Sequence, residues 1–100
     1  MTLTVGVLAL LEAKPGKEGE VAELLATAQG LVENEPGTRV WYAFRAGDTT
    51  FGIFDAFEDE EARQAHLDGE IPIALAKVGP DLLAQDPDIR PVDVVAFKPV

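Results

Sequence analysis

The sequence holds no cysteine, and only one histidine, one methionine, one tryptophan and one tyrosine among 100 residues. Without thiols there is no disulfide, no thiolate nucleophile and no cysteine-held zinc or iron–sulfur cluster. A lone histidine cannot supply paired imidazole ligands, so no metal site is expected. Glycine-rich phosphate loops and a Ser–His–Asp elbow are also missing. Basic residues are scarce, with eight Lys and Arg against eighteen Asp and Glu, for a net charge of −10. Nucleic-acid binding depends on cations that neutralise phosphates, so neither nucleic acid nor an anionic membrane is an expected partner. No apolar run approaches the ~20 residues that span a bilayer. The N-terminus has no basic segment leading into an apolar stretch and a cleavage site, so no secretory signal is expected. With the lack of cysteine, this points to the cytoplasm.

What is present is enough apolar material, 47% of residues with five Phe, to exclude a disordered chain. The length suits one domain over residues 1–100. Residues 3–13 form an almost unbroken apolar run that stops at Lys14-Pro15-Gly16, the pattern of a strand covered on both faces. From Lys17 to Glu35 the period becomes helical, with Val21, Leu24, Leu25, Ala28, Leu31 and Val32 on one stripe. Pro36-Gly37 ends it. Residues 38–45 and 50–58 read as two strands of a hairpin. A turn centred on Gly47-Asp48 would put Trp41 on one face with Phe54, and Tyr42 on the other with Ile53, Asp55 and Phe57. A short helix follows at 59–67, with an acidic first turn and His66 on its apolar side. A second helical piece opens near Pro72, and Gly79-Pro80 is expected to break it. The stretch 69–79 reads as a connector or a mobile lid. Residues 89–98 form the last strand.

The order is β-α-β-β-α-β, a ferredoxin-like α+β fold with a four-stranded antiparallel sheet and its helices on one face. Bulky side chains also lie on the other face, and a chain this short has no third layer to cover them. Leaving them exposed would create an apolar patch larger than a soluble monomer tolerates. A homodimer packed sheet against sheet is therefore expected.

Three segments carry a family resemblance: Leu11-Glu-Ala-Lys-Pro-Gly-Lys-Glu18, Glu35-Pro-Gly-Thr38, and Asp55-Ala-Phe-Glu-Asp-Glu-Glu-Ala-Arg-Gln-Ala-His66-Leu67. In order and spacing they resemble the antibiotic biosynthesis monooxygenase domain. The resemblance implies a dimeric α+β barrel of two ferredoxin-like units. It also implies a range of chemistries, among them oxidation of aromatic compounds by dioxygen with no metal or organic cofactor. Asp55 matches the acid of the family's strand-to-helix pattern, and His66 its histidine. Phe57 stands where the family commonly has Trp, and the first strand lacks the Asn found in haem-degrading members, so haem degradation is not expected.

These residues define the candidate site. His66 and Asp55 form the candidate catalytic pair, since an imidazole that titrates near neutrality suits proton transfer. Trp41, Tyr42, Phe54 and Phe57 are candidate substrate-binding aromatics. Each has a structural alternative: a core histidine, a strand-end carboxylate bonded to backbone, and aromatic packing. The sequence therefore supports a cofactor-independent monooxygenase or related oxidoreductase acting on a small aromatic or quinol. The alternative is a non-catalytic dimeric barrel that binds a small apolar ligand.

Overall fold

The computed structural model describes residues 1–99, and Val100, the last residue of the expected domain, lies outside the described residues. The elements run β1 (Val5–Glu12), α1 (Glu18–Val32), β2 (Val40–Arg45), β3 (Thr50–Phe57), α2 (Glu60–Leu67), α3 (Glu70–Leu82) and β4 (Asp88–Asp93). The strands form one antiparallel sheet in the order β2-β3-β1-β4. This is the ferredoxin-like arrangement, with its second helical connection in two pieces.

Local chemistry accounts for the element ends. Gly16 takes a positive φ of 85° at the turn into α1, a conformation open to glycine without strain. Its N–H donates to the Glu18 carboxylate at 2.6 Å. Asp59 caps α2 by accepting from the Ala62 N–H at 2.8 Å, which explains the acidic start of that helix. The helical stripe Val21, Leu25, Ala28 and Val32 is buried against Ala9, Leu11, Phe51 and Ile53 of the sheet and Ile71 and Leu75 of α3. Burying one such large apolar side chain is worth about 1.5–3 kcal/mol.

Three expectations are corrected. The hairpin pairs Trp41 with Asp55, Tyr42 with Phe54 and Ala43 with Ile53, one residue away from the register expected for a turn on Gly47-Asp48. Since side chains alternate, a slip of one residue exchanges the two faces of β2. Trp41 therefore lies on the helix side, and Tyr42 and Phe44 join Phe54 on the open side. Two contacts hold this register. The Arg45 guanidinium donates to the carbonyls of Gly47 and Asp48, at 3.0 and 2.6 Å. The Phe44 ring lies over Gly52, where a Cβ would come within 2.3 Å of it.

Second, α3 continues through Gly79-Pro80 to Leu82. The missing Pro80 N–H removes one bond near the end of the helix, while Lys14 Nζ donates to the Pro80 carbonyl at 2.6 Å. The Leu83 N–H still reaches Gly79 O at 2.7 Å. Third, β4 stops at Asp93, not Lys98. Its partner β1 begins at Val5, and after the Val94 N–H bonds Thr4 O at 2.9 Å the neighbouring strand is exhausted. Val95 is 98% exposed.

A carboxylate–imidazole–carboxylate site under the helical layer

Alternation along β3 puts Ile53, Asp55 and Phe57 on the helix side of the sheet, and all three are buried. After the Asp59 cap, α2 returns over this face with His66 in its last turn. The two side chains meet there: His66 Nε2 lies 2.9 Å from Asp55 Oδ2. A third residue enters from elsewhere. Helix α1 ends at Val32, not at Glu35 as its sequence period suggests, so Glu35 sits in the following turn. Its Oε1 lies 2.6 Å from His66 Nδ1 and accepts from the Thr38 hydroxyl at 2.8 Å. Gly37 lets this turn approach α2, since a Cβ there would stand 3.2 Å from that of Ala62.

The imidazole is thus held edge to edge between two acids from separate elements, with the Phe57 ring 5.4 Å away. His66 is 6% and Asp55 2% exposed, and charges so buried are stable only when paired. Burial pulls the His66 pKa down, but hydrogen bonds and charge from Asp55 and Glu35 outweigh it and leave the pKa above its ordinary value. Glu35 and Asp55 meet opposite nitrogens of the ring, and among the described residues no group of three or more His, Asp or Glu is placed to hold a metal ion.

Within this cluster one atom is left over. Asp55 Oδ1 is buried and has no hydrogen-bond partner, which costs about 1–3 kcal/mol if it stays unmet. Asp55 and His66 line a cavity of about 640 Å³ under α3. Its walls are Val7, Ile53, Ile71, Leu75 and Ile89, with Gln85 and Asp86 among the polar residues. Helix α3 packs chiefly on α1 and α2, and the space beneath it stays open to the sheet. A volume this large is no packing defect; it lies in the range of small-molecule sites.

Of the residues the sequence singles out, the fold brings His66 and Asp55 together at this cavity. None of the four aromatics lines it. Trp41 borders a second cavity of about 620 Å³ between α1 and β2, together with Tyr42 and Glu35. Phe54 is on the open face, and Phe57 is wholly buried behind His66. Glu35 had a signal in the sequence, its place in the Glu-Pro-Gly-Thr segment, but the helical period absorbed it.

A ferredoxin-like α+β sheet with an acid–imidazole–acid cluster beneath its helical layer is the class that fold and site define. The sequence profile of the antibiotic biosynthesis monooxygenase family matches residues 4–71, and the chain belongs to that family. A protein of unknown function from Nitrosomonas europaea is 44% identical, with a TM-score of 0.95 over 98% of this chain and 95% of that one. A proposed antibiotic biosynthesis monooxygenase from Caulobacter crescentus is 26% identical, with a TM-score of 0.79 over 94% and 92%. A Mycobacterium tuberculosis structure at 16% identity and a TM-score of 0.82, covering 94% and 97%, shares the fold. No functionally curated protein matches the sequence.

Proposed function

We propose that this protein is a cofactor-independent monooxygenase acting on a small phenol or hydroquinone, with Asp55 and His66 as its acid–base pair. The observation that carries the reading is Asp55, which lines an apolar cavity and has one buried oxygen, Oδ1, without a partner. A substrate hydroxyl supplies the missing donor, and the aliphatic walls take a flat ring. The pair removes the hydroxyl proton and leaves an electron-rich oxyanion that reduces dioxygen directly. For a phenol, one oxygen atom enters the ring to give a quinone and the other leaves as water. All four electrons come from the substrate. The proton lent to the pair returns to the reduced oxygen, and the aliphatic walls shield the anion from quenching. Membership of the family supports the reaction class.

The same reading makes residues 1–100 a single domain and the protein a homodimer. The open sheet face carries Tyr42 at 59% and Phe44 at 36% exposure, beside Leu8, Leu10 and Phe54, and a second copy covers it. Among the described residues no helix is long and apolar enough to cross a membrane, and we place the chain in the cytoplasm, where a cysteine-free sequence is at home. Substrate contact falls to the aliphatic wall of the cavity, while Trp41, Tyr42, Phe54 and Phe57 serve packing and assembly. Oxygen consumption over a panel of phenols and hydroquinones tests the function. Substrate-dependent uptake is expected; binding to the panel without uptake would leave the chain a binding module.

A further inference from the structure

We propose that Glu35 is a positioning residue for this site: it holds the Nδ1–H of His66, so that the ring exchanges its second proton at Nε2, against Asp55 on the cavity side. The inference rests on the acid–base reading above. The Glu35 contact at 2.6 Å is the shorter of the two carboxylate contacts made by the ring, the Asp55 contact being 2.9 Å. Glu35 is itself fixed. The Thr38 hydroxyl donates to the same oxygen at 2.8 Å. Backbone bonds from Glu35 N–H to Val32 O and from Thr38 N–H to Glu35 O close the turn that carries it. Its other oxygen fits against Gly69, where a Cβ would stand 3.3 Å away.

A neutral imidazole has one N–H for two competing carboxylates. With that proton on Nδ1, the Nε2 lone pair faces Asp55 Oδ2, and two acceptors at hydrogen-bond distance attract a proton between them. When a substrate hydroxyl ionises, its O–H bond breaks and the electron pair stays on oxygen. The proton ends as Nε2–H bonded to Asp55, and both ring contacts are then charge-assisted. Without the Glu35 charge, Asp55 would be the stronger acceptor and would hold the neutral ring's only proton at Nε2. The receiving lone pair would then point away from the cavity. The groups facing the ring are Asp55 from β3, Glu35 and Thr38 from the loop after α1, and the apolar ring of Phe57. Arg63, on α2 itself, turns instead to the carbonyls of Gly6 and Val92 and to Glu60.

His66 is the sole histidine, so its ring nitrogens give the only imidazole signals in a ¹⁵N NMR titration, and no substrate is needed. Above its pKa the wild-type ring is expected as the Nδ1–H tautomer. Glu35→Gln should convert it to Nε2–H and lower its pKa. In the oxygen assay Glu35→Gln should lose roughly tenfold or more in rate and displace the pH profile. A wild-type Nε2–H tautomer, or an unchanged tautomer and titration in Glu35→Gln, overturns the proposal. If Glu35→Gln does not fold, the wild-type tautomer decides alone. This NMR result stands whether or not any phenol is oxidised, so failure of the catalytic reading shows separately, as absent oxygen uptake.

Discussion

At the scale of single residues, the site depends on one buried imidazole held between two acids. Because its folded-state pKa lies above the ordinary value of about 6.5, protonated His66 stabilises the native state. That stabilisation is fully present below the unfolded value and is lost as pH rises through the raised folded value. Urea unfolding across this window should show wild-type stability falling with pH, and a His66→Gln variant should lack that component of the slope. A wild-type midpoint that rises with pH over the same range would contradict the assignment. Asp55 and His66 were legible in the sequence because a rare residue type on an apolar helix face, and an acid in an apolar strand, violate the patterns around them. Glu35 was not, because an acid after a helical stripe is ordinary.

At the scale of elements, the path from β3 through the Asp59 cap into α2 places the pair, and its precision depends on close packing of the strands. At Gly6 of β1 one backbone closes directly on another: a Cβ there would lie 2.5 Å from the backbone oxygen of Asp55. Backbone cannot swing aside as a side chain can, so Gly6→Ala should cost about 1–3 kcal/mol and broaden or shift the His66 signals. Gly47→Ala, in open space, serves as the control and should leave them unchanged. Equal denaturant midpoints for the two variants would refute the close-packing account. Element order and type could be read from periodicity alone. The hairpin register could not, because it depends on Arg45 gripping the loop carbonyls and on Phe44 finding room over Gly52. Helix α3 defeated the Gly79-Pro80 stop signal because the break falls within its final turn, where few bonds remain to lose. The register change carries Trp41 to the face opposite Phe54, and the continued α3 roofs an aliphatic cavity beside Asp55 and His66.

At the scale of the whole molecule, one sheet face bears the helices and the Asp55–His66–Glu35 cluster while the other bears Tyr42, Phe44 and Phe54. Sedimentation equilibrium should give twice the 10.7 kDa mass of one chain. Phe54→Asp should shift it toward monomer by placing an unpaired charge in the apolar interface; a wild-type monomer at micromolar concentration would refute sheet-to-sheet pairing. The central claim concerns the opposite face, where Asp55, one of whose oxygens has no partner, lines an apolar cavity. Its most direct measurement is the rate of oxygen uptake by Asp55→Asn against wild type, on the panel compound that wild type consumes fastest. The expected result is a fall of about 10²-fold or more with the far-ultraviolet circular dichroism unchanged. Uptake by Asp55→Asn at the wild-type rate would contradict it.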